Sequence, residues 1–156
     1  MTHEIVEKVD EIATWQVVKL FTGFDDTHME RLRLSVGRIF QHWVQEQKEI
    51  LEGKCKTKLS LYSGHDTTFI PMLLCLGAFD GKWPTFTSCV CVELREGVDG
   101  TPYVRVLYNF KEVILPGQKT ALCTLKDFQE LASHYIPKDF VSECEHLRTH
   151  AQNLFS

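Results

Sequence analysis

The stretch LYSGHDTTFIPMLL, residues 61–74, places an imidazole and a carboxyl side by side at His65 and Asp66. An imidazole can donate a hydrogen bond to an anion, and an adjacent carboxyl can give a proton to a departing oxygen and later take one from water. Cleavage of a phosphate ester needs both groups. His65 and Asp66 are therefore the candidate catalytic residues.

The same pair also fits a purely structural interpretation, in which Asp66 is the helix N-cap and His65 is a surface neighbour. Turns from strand to helix are often rich in Asp, Ser and Gly, so spacing alone favours this interpretation. In open α/β sheets, however, ligands gather beyond the carboxyl ends of strands, where the next helix presents free amides. We expect Ser63 and Gly64 to keep the turn small, and Thr67 and Thr68 to cap the helix.

The elements around the pair follow from apolar periodicity. Residues 59–62 are predicted as a short strand, and a helix is predicted from Thr68, with Pro71 in its first turn and Gly77 as its stop. Before the strand, helices are predicted over residues 3–20 and 29–51. The first carries this apolar stripe, with Gln16 as its one lapse: Ile5, Val9, Ile12, Ala13, Val17 and Leu20.

Alternating residues after the turn-rich segment FDGKWPTF predict a strand over residues 88–95. The segment EGVDGTP predicts a hairpin loop, with the return strand in YVRVLYNF. The segment TLKDFQELASHY predicts a helix capped by Thr124, and a final short helix is expected near residues 139–144. Helices before and after a strand, followed by a hairpin, favour a three-layer α/β arrangement.

Composition narrows the class of protein. The chain has 156 residues, 44% of them hydrophobic, and a formal charge of −4, which is typical of one globular domain. With no basic run, we expect no nucleic-acid partner. The longest apolar run, residues 69–76, is far shorter than the roughly 20 residues of a membrane span. The segment MTHEIVEKVDEI lacks the apolar core of a signal peptide.

The six cysteines do not follow a zinc-binding pattern, since no Cys-x-x-Cys occurs and Cys89-x-Cys91 stands alone. We expect no metal and no cofactor. Cys75 lies on the apolar stripe of its predicted helix and is interpreted as a core residue. The other five could be disulfide halves, and the sequence leaves the redox compartment open.

The segment LYSGHDTTFIPMLLCLGAFDGKWPTF resembles the carboxy-terminal HD motif of the histidine acid phosphatases. The similarity continues in the family's order through SCVCVEL, YVRVLYN, LPG and LCTLKDFQELASHYIPKDFVSEC. It is strongest over residues 57–145, and residues 1–56 resemble the preceding helices more loosely. The resemblance implies that residues 1–156 are the carboxy-terminal portion of one domain with the three-layer, phosphoglycerate-mutase-like fold, lacking its amino-terminal part.

The resemblance implies an acid phosphomonoesterase in which a histidine takes the phosphoryl group and water then removes it. His65 matches the histidine that hydrogen-bonds the phosphate, and Asp66 matches the proton donor to the leaving alcohol. The family's nucleophile lies in an R-H-G-x-R-x-P motif, and no Arg-His-Gly occurs in this sequence. We therefore expect the acid without the nucleophile or the arginine clamp, and no turnover by this chain alone.

The resemblance also bears on the cysteines and the compartment. Cys89 and Cys144 match half-cystines whose partners lie in the family's amino-terminal portion, whereas Cys123 matches one whose partner position is occupied here by Lys119. The family includes secreted, lysosomal and mitochondrial members, so the compartment stays open.

Two classes of function remain. The first is an acid phosphatase acting on small phosphate monoesters, with this chain as a fragment or isoform and the amino-terminal portion as its partner. The second is a non-catalytic polypeptide that keeps the half-site as a phosphate-binding or pairing surface. A related sugar-phosphate phosphatase would differ only in substrate. The F-I-P and K-W-P segments modestly favour the branch of the family that hydrolyses lysophosphatidic acid.

Overall fold

Five helices and four strands form the part of the chain that the structure, a computed structural model, describes, residues 2–154. In chain order they are α1 (His3–Thr22), α2 (His28–Leu51), α3 (Asp66–Cys75), β1 (Val90–Glu96), β2 (Pro102–Tyr108), β3 (Lys111–Val113), β4 (Leu122–Thr124), α4 (Leu125–Ser133) and α5 (Phe140–Leu154). Among these residues, no helix is both long enough and apolar enough to cross a bilayer. The fold is mixed α/β, as the sequence predicts.

The strands form one antiparallel sheet with β2 at its centre. Strand β1 pairs along the whole of β2 on one side, and β3 and β4 pair with successive parts of β2 on the other. The predicted hairpin between β1 and β2 is confirmed. Strands β3 and β4 were not predicted, because each has three residues and cannot display a clear alternation.

The turn between β2 and β3 was also difficult to predict from the sequence, for a second reason. Asn109 and Phe110 both adopt left-handed backbone, with φ of 48° and 63°. Two such residues make the tight turn that hairpins favour, but glycine usually occupies the second position. The dipeptide Asn-Phe therefore gives no hairpin signal in the sequence.

The two faces of the sheet differ in chemistry. The register places Val92 opposite Val106, and the face that carries them packs into the core. The other face is polar: Arg105 donates hydrogen bonds to Glu93, at 2.9 Å, and to Glu112, at 3.2 Å. Hydrogen bonds from Arg105 and Arg95 lower the pKa of Glu93 below its usual value.

The core lies between the inner face of the sheet and helices α2, α3 and α4. Phe40 of α2, Leu76 after α3 and Phe128 of α4 are fully buried there, together with Val104 and Val106 of β2. Each such side chain contributes about 1.5–3 kcal/mol on burial. These contacts fix the helices relative to the sheet.

Helix α1 lies where the sequence predicts it, but much of its apolar stripe is exposed. Along its stripe, Ile5, Val9 and Ile12 are each about half exposed, and Thr14 is the helix residue described as buried. Periodicity identifies an apolar face but not the surface that covers it. Among the described residues, only the carboxy-terminal part of α1 packs against the core, through Phe21.

The predicted strand at residues 59–62 is wrong. The segment forms no helix and pairs with no strand among residues 2–154, and Leu59 and Leu61 are 72% and 85% exposed. A strand exists only through the hydrogen bonds of its ladder, so a strand-like sequence without a neighbour stays irregular.

Helix α3 begins two residues earlier than predicted, at Asp66, so Pro71 is its sixth residue and not part of its first turn. Proline cannot donate the helical hydrogen bond to the carbonyl of Thr67. Thr67 is exposed, so water can satisfy that carbonyl. The predicted stop is confirmed, with Gly77 in left-handed backbone at φ 66° and the Ala78 amide bonded to the Leu73 carbonyl.

Helix α4 confirms its predicted cap. The Thr124 hydroxyl accepts a hydrogen bond from the Asp127 amide at 3.1 Å and donates one to the Asp127 carboxylate at 2.7 Å. The last helix, α5, extends ten residues beyond the predicted end at Cys144. Polar residues dominate this extension, so the apolar pattern gives no signal for it.

Gly37 allows α2 to pass close to the chain after α4. A Cβ at this position would lie 2.0 Å from the backbone oxygen of Tyr135 and 2.7 Å from the Pro137 ring. No side-chain rotation can relieve a contact with backbone. The glycine is therefore required by packing and not by its conformation.

We predict that Gly37→Ala destabilises the protein by about 2 kcal/mol or more, because the clash outweighs the gain of about 1 kcal/mol in helix propensity. Urea unfolding followed by circular dichroism measures the change. Gly64→Ala is the matched control and should change stability by about 0.5 kcal/mol or less, since its Cβ would meet Thr68 at 3.5 Å, an ordinary contact. Equal stability of wild type and Gly37→Ala would contradict the described packing.

Candidate active site

Helix α3 is anchored through its second half. Ile70, Leu73 and Leu76 are fully buried, and burial raises the pKa of the Cys75 thiol to about 12. Cys75 is thus the core residue that the sequence predicts. Because this half cannot move without opening the core, the position of the amino terminus of α3 is also set.

The amino terminus of α3 carries both candidate residues. His65 is the N-cap residue, with extended backbone, and its carbonyl accepts hydrogen bonds from the amides of Thr68 and Phe69, each at 2.9 Å. Asp66 is the first helical residue, and its carboxylate accepts a hydrogen bond from the Thr67 amide at 2.7 Å. The expectation that Thr67 and Thr68 cap this helix is wrong, because His65 is the N-cap residue and both threonines lie inside the helix.

The structure brings His65 and Asp66 together at the surface. His65 is exposed and Asp66 is half-buried, so solvent reaches both side chains. The N-cap residue is His65 and not Asp66, so the purely structural interpretation, in which Asp66 caps the helix, is wrong in that respect. A ligand can approach this end of α3 without a change in the core.

Within residues 2–154, neither His65 nor Asp66 takes part in an ion pair. Neither residue lines the groove between residues 77–85 and 108–114 or the groove beside α2 that Tyr62 borders. The arrangement offers a hydrogen-bonding imidazole and a carboxyl, and nothing described here neutralises a bound dianion.

Gly64 is less constrained than the sequence suggests. Its φ lies outside the left-handed region, and an added Cβ would make only ordinary contacts with the Thr68 side chain. Glycine at this position therefore serves neither the turn conformation nor the local packing. The fold of the described residues therefore does not require a glycine at this position to keep the turn small.

Sequence reasoning missed Glu46, which holds the segment before the pair. The Ser60 hydroxyl donates a short hydrogen bond to one carboxylate oxygen of Glu46, and the Tyr62 hydroxyl donates to the other at 3.4 Å. The rings of His42 and Tyr62 meet edge to face, 5.8 Å apart. Burial, and secondarily the Glu46 charge, raise the pKa of Tyr62 above its usual value. Contacts between residues 14 and 16 positions apart leave no local pattern in the sequence.

The match to a known family covers this site. A family model described as "Histidine phosphatase superfamily (branch 2)" matches residues 31–109, about half of the chain and including His65 and Asp66. The chain belongs to this family, which confirms the class of protein that the HD motif predicts.

Particular relatives can also be named. Over 79 residues, half of this chain, it is 40% identical to human lysophosphatidic acid phosphatase type 6 and spans 18% of that protein. Over 98% of its length it is 28% identical to prostatic acid phosphatase of Rattus norvegicus, spanning 41% of it. Over 56% of its length it is 32% identical to lysosomal acid phosphatase of Bos taurus, spanning 22%. The chain thus spans less than half the length of these relatives.

We predict that Glu46→Ala loosens the segment that leads to His65. The backbone order parameters of residues 60–65, measured by NMR relaxation, should fall from about 0.85, the value of ordered backbone, to below about 0.6. Glu49→Ala is the matched control, because the Glu49 side chain accepts a hydrogen bond from Gln45 of the same helix. Equal order parameters in the two variants would show that Glu46 does not hold the segment.

Proposed function

We propose that this chain supplies the proton-donor half of an acid phosphomonoesterase site. One observation carries the proposal: an accessible imidazole and carboxyl lie together at the amino terminus of a buried helix, within the residues that the histidine phosphatase model matches. His65 binds the phosphate through a hydrogen bond. Asp66 gives a proton to the leaving oxygen.

The reaction takes two steps that share one carboxyl. A nucleophilic histidine, supplied from outside the described site, attacks phosphorus while the bond to the alcohol oxygen breaks, and Asp66 protonates that oxygen. Water then attacks the phosphohistidine and gives its proton to Asp66, which restores both groups. His65 hydrogen-bonds a phosphoryl oxygen throughout, where negative charge is concentrated.

We further propose that the chain alone does not turn over. Charge on a transferring phosphoryl group is stabilised mainly by positioned cations, and one arginine is commonly worth about a thousandfold or more in rate. The absence of Arg-His-Gly from the sequence and of an ion-pair partner for Asp66 among the described residues supports this.

The partner that fits this half-site is the remainder of a histidine phosphatase domain. Leu59, Leu61 and the exposed stripe of α1 offer apolar surface for it, and the unpaired segment around Leu61 offers backbone groups to which a strand could pair. The substrate class is a small phosphate monoester. Lysophosphatidic acid is one candidate, since a relative is named for it, and the compartment would be that of the assembled enzyme.

The test joins this chain to a polypeptide carrying the R-H-G-x-R-x-P segment, such as the amino-terminal part of lysophosphatidic acid phosphatase type 6. We predict phosphatase activity whose kcat/KM falls about 10²–10⁴-fold in Asp66→Ala with an alkyl phosphate, whose leaving group needs a proton. The ratio kcat/KM is the quantity to compare, because it reports the steps up to departure of the alcohol and not the later attack of water, which is common to all substrates. The loss with p-nitrophenyl phosphate should be much smaller, because nitrophenolate leaves without one. His65→Ala should slow both substrates about 10²–10³-fold.

A matched control is Asp80→Ala, since the Asp80 carboxylate accepts a hydrogen bond from the Lys82 amide in a distant turn. Its activity should equal that of the unchanged assembly. An equal effect of Asp66→Ala on kcat/KM for both substrates would contradict the role of Asp66 as proton donor, even if the assembly is active.

A second candidate function is a non-catalytic phosphate-binding or pairing module. The exposure of His65 and the absence of a described cation beside Asp66 favour it for the chain in isolation. The isolated chain should then show no turnover of p-nitrophenyl phosphate at acid pH. Robust hydrolysis that both His65→Ala and Asp66→Ala abolish would contradict this and would make the isolated chain an enzyme.

A further inference from the structure

Two phenylalanines lie in solvent at one end of the sheet. Phe86 is fully exposed in the turn of residues 85–88 before β1, and Phe110 is 80% exposed in the turn between β2 and β3. Strands β1 and β2 pair antiparallel, with Val90 opposite Tyr108. The start of β1 and the end of β2 therefore meet, so the two turns are neighbours.

The hydrogen bonds of Asn109 join the two turns. Its side-chain oxygen accepts from the Cys89 amide at 2.9 Å, and its side-chain nitrogen donates to the Ser88 hydroxyl at 3.3 Å. Its own amide donates to the Cys89 carbonyl at 2.9 Å. The Ser88 amide closes the first turn on the Thr85 carbonyl at 3.1 Å. The two phenylalanines are thus presented on turns that hold each other in place.

Both turns use left-handed backbone at positions where glycine is usual. Thr87 has a φ of 65° and Phe110 a φ of 63°, a conformation that residues with a Cβ seldom adopt. Residues held in such conformations cluster at functional sites, where the surrounding structure maintains them. The strain at Phe110 places a large apolar ring in solvent, where it buries little surface within the described part of the chain. A role in contact with a partner explains this arrangement.

A groove of about 460 Å³ opens beside the turns, since Thr85 of one and Asn109 of the other line it. Trp83 and Tyr108 are half-buried in its lining, and Ile114 at its edge is 56% exposed. Tryptophan and tyrosine are enriched at the level of lipid headgroups, because their rings combine an apolar body with a polar group. The groove and the two turns together form one exposed surface rich in aromatic rings.

Two lysines give this surface its charge. Lys82 and Lys111 line the groove, are exposed and, within the described residues, take part in no ion pair. The two carboxylates of the groove are already engaged: Glu112 accepts a hydrogen bond from Arg105 at 3.2 Å, and Asp80 accepts one from the Lys82 amide at 3.1 Å. Both ammonium groups are therefore available to an anionic partner.

We propose that Phe86, Phe110, Trp83, Lys82 and Lys111, called here the docking surface, bind the face of an anionic phospholipid bilayer. The phenylalanines enter the boundary between headgroups and acyl chains, and the lysines face the lipid phosphates. Salt screens charges more than about 10 Å apart, so the lysines act although the formal charge of the chain is −4. They respond to the potential of a charged surface, so free inorganic phosphate is not expected in the groove.

The docking surface shares no residue with the apolar surface that the proposed function gives to the remainder of the domain. That surface consists of Leu59, Leu61 and the exposed stripe of α1. Docking on a bilayer therefore does not compete with that pairing for the same side chains. It also does not depend on the chemistry of the candidate active site.

The test measures sedimentation of the whole chain with vesicles of phosphatidylcholine and phosphatidylserine, which carry no phosphate monoester. We expect the chain to sediment with these vesicles. Binding should fall about fivefold or more on vesicles of phosphatidylcholine alone, because each lysine near an anionic surface contributes about that factor. The double variant Lys82→Gln with Lys111→Gln should weaken binding to the mixed vesicles by about tenfold or more.

Variants of the exposed side chains separate docking from folding. Phe86→Ser and Phe110→Gly should each weaken binding about fivefold or more, because binding scales with the apolar area that enters the bilayer. Glycine suits the left-handed backbone at position 110, so the urea midpoint of Phe110→Gly should equal or exceed that of wild type. Val98→Ser is the matched control: Val98 is fully exposed at the other end of the β1–β2 hairpin, and its loss should leave binding unchanged.

The proposal is overturned if the wild-type chain does not sediment with the mixed vesicles. It is also overturned if Phe110→Gly or the double lysine variant binds as tightly as wild type, or if Val98→Ser removes the binding. The chain joined to the amino-terminal part of lysophosphatidic acid phosphatase type 6 should sediment as well. Loss of binding on joining would show that the remainder of the domain covers the docking surface, and this would contradict the proposal.

Discussion

The burial of α3 is the constraint on which the candidate site depends. Ile70, Leu73 and Leu76 are fully buried, while the first residues of the same helix meet solvent. A helix held in this way projects whatever lies at its amino terminus at a fixed place on the surface. Here that place is occupied by His65 and Asp66. One end of this short helix packs in the hydrophobic core, and the other end carries the candidate catalytic residues.

The segment before His65 bears on the proposal that the site is incomplete. It has no ladder and is held through side chains, chiefly Ser60 and Tyr62 on Glu46. A phosphate dianion needs positioned cations, and residues 2–154 place none in an ion pair with Asp66. The exposed Leu59 and Leu61, in a segment that pairs with no described strand, fit the proposed pairing with the remainder of a histidine phosphatase domain.

The sequence predicted those features that depend on residues close together in the chain, and it failed where residues far apart in the chain meet. Helix α2, the β1–β2 hairpin and the Thr124 cap depend on periodicity or on neighbours within a few residues, and all three were predicted correctly. The strand predicted over residues 59–62 was wrong because a strand forms only when a second strand pairs with it. The half-exposed stripe of α1 and the contacts of Glu46 depend on which distant surfaces meet, and local pattern carries no information on that.

The most direct test of the account is a titration of the isolated, isotope-labelled chain with inorganic phosphate, followed by nuclear magnetic resonance at mildly acidic pH. The account predicts weak binding, with shifts confined to the His65 ring and the amides of residues 64–69, which disappear in His65→Ala. Shifts confined to the groove that contains Lys82 and Lys111, with none at His65, would show that the amino terminus of α3 is not the phosphate-facing surface.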